Sequence, residues 1–165
     1  MQEYYVYLNM PSYLRQWFIH RHGGNEPVHL LQGSIETKLL TRLTVPLPKG
    51  VLPWQKKEGD LAVCIPYRKS HDPRYFNHIT ELGKRIIVDR AKDDFGIDLW
   101  YFLEELVKKS GQQKDLIYAF MEQRGIQEDG TCWDSIAKIY QRLRKQYYDR
   151  EYHKKNRTSI KAILK

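Results

Sequence analysis

The run Thr131-Cys132-Trp133-Asp134-Ser135-Ile136-Ala137-Lys138-Ile139-Tyr140-Gln141-Arg142-Leu143-Arg144-Lys145-Gln146-Tyr147 decides how the rest of the chain is read. Its first four residues have the form of a capping box: a Thr for the free amides of a first turn, and an acidic residue three positions on, where the helix dipole favours it. Trp133, Ile136, Tyr140, Leu143 and Tyr147 then recur at steps of three and four, the repeat of one buried helical stripe. Lys138, Arg142 and Lys145 fall on the opposite side. The spacing predicts a long helix that docks by an aromatic and aliphatic face and shows water a basic one. Past Tyr147 the stripe positions are taken by Arg150, Lys154 and Arg157. Burying three unpaired charges is too costly, so the helix is expected to run beyond the protein body or fray into a basic tail.

The 165 residues are enough for a proper core, as one domain or two small ones, and 41% hydrophobic with 29% charged residues is the composition of a globular protein. No apolar run approaches the roughly 18 residues that a membrane span requires. The opening Met1-Gln2-Glu3-Tyr4 lacks the basic and then apolar pattern of a signal peptide. Cytoplasmic residence without a membrane partner is expected. The two cysteines, Cys64 and Cys132, belong to no Cys-x-x-Cys pair, and are read as reduced, buried thiols rather than a disulfide or a zinc site.

The formal net charge of +8 is unevenly placed. Residues 1–72 carry nine Lys/Arg against six Asp/Glu, and residues 73–134 carry nine against twelve. Residues 135–165 carry ten against two, so the excess lies in the last helix and its tail. A localised basic segment is the electrostatic footprint of a polyanion partner, with a solvated charged face as the alternative.

The rest of the chain reads as α+β: a small mixed β/α part over residues 1–72, followed by a helical half over residues 73–165. In the first part, residues 4–8, 28–31 and 61–65 suit strands and residues 13–19 a short helix. Ile35, Leu39, Leu40 and Leu43 have helical spacing, although Thr41 to Val45 would also suit a strand. Pro46, Pro48 and Pro53 then impose a loop or an edge ribbon. In the second part Pro73 marks the start of a first helix to about residue 91, with Ile79, Leu82 and Ile86 inward. A second helix, capped by Asp98, carries Leu99, Phe102, Leu103 and Leu106. A third over residues 114–124 presents Leu116, Ile117, Phe120 and Met121, and the fourth is the organising helix.

The third and fourth helices, joined through Gly125 and Gly130, are similar to a helix-turn-helix arrangement, and a helix about 10 to 12 Å across matches a B-DNA major groove about 12 Å wide. The connection is longer than the roughly 3 to 4 residues usual in that motif. Glu128, Asp129 and Asp134 also place negative charge at the end that normally meets the bases. Contact with double-stranded DNA is therefore expected from Lys138, Arg142, Arg144, Lys145, Arg150, Lys154, Lys155 and Arg157, mainly to backbone phosphates, with base reading left to Ser135, Gln141 or an arginine. Tyr140, Tyr147, Tyr148 and Tyr152 have two readings, stacking on bases or packing. Helical spacing sets Tyr140 and Tyr147 with Trp133, which favours packing for those two.

His20-Arg21-His22 is superficially similar to the His-hydrophobe-His metal motif of single-strand nickases and small transposases, and residues 28–31 to the strand that carries it. That reading would take a tyrosine nucleophile from Tyr140, Tyr147 or Tyr148. A second metal reading gathers His71, Asp72 and His78. No phosphate loop, dinucleotide fingerprint or Gly-x-Ser-x-Gly occurs, so no cofactor and no small-molecule substrate is indicated. Asp93-Asp94 and Glu104-Glu105 fit solvated helical charge.

The stretches Lys114-Asp115-Leu116-Ile117-Tyr118-Ala119-Phe120-Met121-Glu122-Gln123-Arg124-Gly125-Ile126 and Trp133-Asp134-Ser135-Ile136-Ala137-Lys138-Ile139-Tyr140-Gln141-Arg142 resemble small proteins of bacterial conjugative transposons and prophages that are labelled DNA-binding. The resemblance implies a non-enzymatic accessory or regulatory factor of a mobile element, and assigns no residue a role. Two other readings stand beside it. The long helix and the apolar tail at residues 160–164 could serve a protein partner or a homodimer, or the chain could be the degenerate nickase or transposase.

Overall fold

The computed structural model describes residues 2–107 and 112–163, with side chains described for residues 2–104 and 112–154. The side chains of Leu106, Lys155, Arg157 and the apolar tail lie outside that set. The elements are β1 (Tyr5–Asn9), α1 (Ser12–Arg21), α2 (Ile35–Leu43), β2 (Thr44–Val45), β3 (Asp60–Cys64), β4 (His78–Ile79), α3 (Glu81–Val107), α4 (Gln113–Gln123) and α5 (Cys132–Ile163). The class is α+β, with strands confined to the first half of the chain.

β1 pairs antiparallel with β3, Val6 opposite Val63 and Leu8 opposite Leu61. These four side chains are buried, whereas Tyr5, Tyr7 and Cys64 are only half-buried. β1 therefore shows the period-2 alternation of a strand packed on one face, whereas β3 is buried at every position from Asp60 to Val63. The segment expected as a strand at residues 28–31 contributes one parallel bridge, Val28 to Val63. The ambiguous stretch that follows resolves in favour of its helical spacing. Ser34 caps α2 by accepting the Thr37 amide at 3.1 Å, and the helix gives way to β2 at Thr44.

Among the described residues, the helical half holds three helices, not four. Ile87, Ala91, Phe95, Leu99 and Leu103 are all buried and recur every fourth residue, so one uninterrupted stripe carries α3 through the place where the sequence suggested a new cap. Pro73 does not begin this helix. The Asp72 carbonyl accepts the amides of Tyr75 and Phe76 in a turn, Ile79 belongs to β4, and the helix starts after Thr80, whose hydroxyl accepts the Gly83 amide. Leu82 and Ile86, expected inward, are exposed at 64% and 38%.

Asp98 is no cap but a junction. Its carboxylate accepts the Trp17 indole N–H at 2.9 Å from α1, and two guanidinium N–H groups of Arg124, each at 2.8 Å, from the end of α4. Burial pushes the Asp98 carboxyl up, and the bonds from Arg124 and Trp17 outweigh it and hold the group below its ordinary value. Around this polar tie lies an aromatic cluster in which Phe95 meets Trp17 edge-on at 5.5 Å and Phe120 at 5.7 Å. One hydrophobic core extends from Val6 of β1 to Tyr140 of α5 and draws on both parts of the chain.

Asp98→Asn keeps the shape of the side chain and removes its charge. It is expected to lower stability to urea by about 2 kcal/mol, the scale of hydrogen bonds to an ionised partner. Because the folded carboxyl is depressed, its contribution is present above the unfolded value of about 3.9 and lost as pH falls through the lower folded value. Urea midpoints measured from pH 6 downward should therefore fall less steeply in the variant than in the wild type.

Candidate nucleic-acid interface

The interface is built on α5, beginning at its first turn. The Glu128 carboxylate accepts the amides of Gly130 at 2.8 Å, Cys132 at 3.2 Å and Trp133 at 2.9 Å. Asp129 accepts the amides of Thr131 at 2.9 Å and Cys132 at 3.2 Å. The Thr131 hydroxyl, expected as the cap, instead donates to Asp129 at 2.7 Å. Acids outcompete a hydroxyl here because an ionised acceptor bonds more strongly and also meets the positive end of the helix dipole. The hydroxyls of Ser12 and Thr131, the Thr131 amide and the Cys132 thiol hold the Asp129 carboxyl far below its usual range. Two acids that looked repulsive toward DNA are thus consumed in starting the helix.

Cys132, Ile136, Ala137 and Tyr140 are buried, and Trp133, Ile139 and Leu143 are half-buried. The close approach to α3 occurs at Gly96, where an added Cβ would lie 3.8 Å from Leu143. Trp100 of α3 then meets Tyr140 at 6.2 Å and Tyr147 at 5.1 Å between ring centroids. Tyr140 is core, as its spacing implies, while Tyr147 rests on Trp100 and is still 45% exposed. From Arg144 to Lys154 every side chain except Glu151 is exposed. The helix leaves the body here, as the change of pattern past Tyr147 implies.

The cations do not form one patch. At 100° per residue, Lys138, Arg142 and Lys145 lie together opposite the buried stripe, and all three are exposed. Arg142 donates from Nε to the Lys138 carbonyl at 3.3 Å, which lays its head along that face. Arg144 stands on a flank with its guanidinium 5.6 Å from the Tyr148 ring. Arg150 and Lys154 continue the direction of the buried stripe after the body has ended. Lys154 pairs with Glu151 at 2.8 Å. Lys138, Arg142, Arg144, Lys145 and Arg150 have no carboxylate within 4 Å among the described residues. Of the polar candidates on the helix, Gln141 is exposed and Ser135 is half-buried.

Sequence reasoning missed α3's share of this surface. A groove between α3 and α5 is lined by Arg90, Lys92, Ile97, Trp100 and Tyr101 from one side and by Leu143, Tyr147 and Arg150 from the other. Tyr101 and Ile97 are more than half exposed. The signal was available in principle, since Ile97 and Tyr101 stand four apart and off the Phe95–Leu99–Leu103 stripe. It was hidden by the misplaced helix break at Asp98. Arg90 and Lys92 are already paired, with Asp94 at 2.7 Å and Asp89 at 2.8 Å.

The resemblance to a helix-turn-helix is limited. α4 buries Leu116, Ile117, Phe120 and Met121 as expected and packs on α5, but residues 124–131 make a connection longer than that of the motif. It turns at Gly125, whose φ of +64° suits glycine and whose missing Cβ makes room for the His20 ring.

The histidine readings fare differently from the charged helix. His20 and His22 fall at the end of α1 and not on a strand, the first against Gly125 and the second 4.5 Å from the Phe18 ring. His71, Asp72 and His78 are not gathered: His71 bonds the Thr44 hydroxyl and stacks on Phe76, Asp72 is taken by Arg74, and His78 is buried beside Trp54. Among the described residues, the grouping of metal-ligand atoms that does occur is Glu3, His29 and Cys64. No helix among them is long and apolar enough to cross a membrane. Compared with known proteins, the chain matches no family model, no curated protein and no solved structure.

Glu128→Ala removes the acceptor for three amides at the start of α5. The amides of Cys132 and Trp133 are expected to exchange with solvent several-fold faster, as read by hydrogen–deuterium exchange, with no change in protection at Phe95 or Leu99.

Proposed function

We propose that this protein binds double-stranded DNA without catalysing a reaction on it, and does so mainly through backbone phosphates met by the basic length of α5. The observation that carries the reading is the set of five exposed cations on that helix, Lys138, Arg142, Arg144, Lys145 and Arg150, with no carboxylate partner among the described residues. Lys155 and Arg157 extend the same basic run in sequence. Unpaired cations on a helix that stands clear of the body are available to phosphates without first breaking an intramolecular ion pair, and they release counterions from the duplex on contact.

The outer row from Lys138 to Lys145 spans about 10 Å at 1.5 Å per residue. A row of that length faces several phosphates at once. The amides at the helix start are occupied by Glu128 and Asp129, so the first turn offers the bases little, and sequence reading would fall to Gln141 or an arginine. A role as an accessory or regulatory factor of a mobile element rests on the resemblance of residues 114–126 and 133–142 alone.

A second reading has its own support in the α3–α5 groove, where exposed Ile97 and Tyr101 suit a protein partner or a second copy of the chain. The two readings differ in which residues they need. Replacing Lys138, Arg142 and Lys145 together with Ala should weaken binding to labelled duplexes at least tenfold in low salt, and to a similar degree for unrelated sequences, since phosphate contacts carry no sequence information. Far-UV circular dichroism should not change, because all three side chains are exposed. Equal affinity of variant and wild type would overturn the assignment of this face, and failure of the wild type to bind any duplex would favour the protein-partner reading.

A further inference from the structure

The outer face of the small sheet carries a second arrangement that DNA binding does not use. Strand alternation puts Val6, Val28 and Val63 into the core, and therefore turns their neighbours Tyr5, His29 and Cys64 to the other side. Tyr5 lies directly opposite Cys64 in the antiparallel pair. Val28 runs parallel to Val63, with its amide donating to the Ala62 carbonyl and its carbonyl accepting the Cys64 amide, each at 2.9 Å. Glu3 precedes Tyr5 by two residues and so shares its face. Three segments far apart in sequence thereby bring a carboxylate, an imidazole and a thiol to one spot, with their ligand atoms all within 4.8 Å of one another.

The geometry points to a divalent zinc-type metal site formed by Glu3, His29 and Cys64. Thiolate, imidazole and carboxylate are the donor types zinc selects, and three protein ligands with one open position is a common zinc arrangement. Tetrahedral bonds of about 2.0 to 2.3 Å place neighbouring ligand atoms about 3.3 to 3.6 Å apart. The spacing without an ion is up to 4.8 Å, and Glu3 and His29 are exposed side chains with room to turn toward Cys64, which the strand holds. The carboxylate is already oriented: Tyr5 donates its hydroxyl to Glu3 Oε2 at 2.7 Å, leaving Oε1 on the side of His29 Nε2, 3.9 Å away. Support of a ligating carboxylate by a second hydrogen bond is a usual feature of zinc sites.

Asp72 shares the same cleft but is engaged by Arg74, so the fourth position falls to water or an external ligand. Metal entry forms a Cys64 sulfur–metal bond and releases the thiol proton to solvent.

Titrating Zn²⁺ into the full chain against a chromophoric chelator should show one equivalent bound. Cys64→Ser and His29→Ala should each weaken binding at least a hundredfold, and Tyr5→Phe about tenfold, the lower end of what outer-sphere partners contribute. Cys132→Ser, in the core of α5, should leave the affinity unchanged. With Co²⁺ the wild type should show a thiolate-to-metal charge-transfer band that is lost in Cys64→Ser. Absence of that band in the wild type, or zinc binding that survives both Cys64→Ser and His29→Ala, would overturn the site. The cobalt spectrum of the wild type decides the matter even if a variant fails to fold.

Discussion

The Asp98 carboxylate is the constraint on which the rest of the arrangement depends. It sits in the middle of α3 and is met at once by the indole of Trp17 and the guanidinium of Arg124, so one charged group fixes the positions of α1 and α4 on the same long helix. A carboxylate so largely withdrawn from water is tolerable only with its acceptor sites filled. Removing either donor would leave charge against the aromatic cluster of Phe95 and Phe120, which ties polar geometry to core packing. Gln16 extends the tie beyond the core, accepting the Gln127 amide at 2.8 Å and thereby joining α1 to the connection before α5.

With α1 and α4 placed, α5 has one place to dock. Its first three turns enter between them and α3, started by the carboxylates of Glu128 and Asp129. Among the described side chains from Arg144 onward, the ring contact with another helix is that of Tyr147 with Trp100. The result is a helix anchored at one end and basic in the part that is solvated. A helix that must stay helical without a core to lie on benefits from long-chain residues of good propensity and from local pairs such as Lys154 with Glu151. The same residues give it the charge from which DNA binding is inferred.

The features legible in the sequence were those set by local periodicity. The α5 stripe, its exposed basic side and the point at which it leaves the body all follow from spacings of three and four, and β3 follows from a short apolar run. What misled was chemistry whose partner is distant. Asp98 looks like a cap because an acid before an apolar run usually is one, and Trp17 and Arg124 are 81 and 26 residues away. Thr131 looked like the acceptor of a capping box because nothing local shows that Glu128 and Asp129 fold back onto the same amides. Glu3, His29 and Cys64 carry no spacing signal at all, since the register of β1 on β3 and the bridge at Val28 bring them together. Within α5 the exposure of each described cation was readable. Their division into an outer row of Lys138, Arg142 and Lys145 and a set, Arg150 and Lys154, that continues the buried stripe past Tyr147 was readable from the helical angle as well. The placement of Arg144 against the Tyr148 ring was not.

The most direct test of the α5 account is the salt dependence of duplex binding by the full chain, followed by fluorescence anisotropy with a random-sequence labelled duplex at several salt concentrations. Several phosphate contacts through α5 require the logarithm of the association constant to fall with that of salt at a slope of about −3 to −6, at about −0.9 for each phosphate neutralised. A slope near zero, or no binding at the lowest salt, would contradict it.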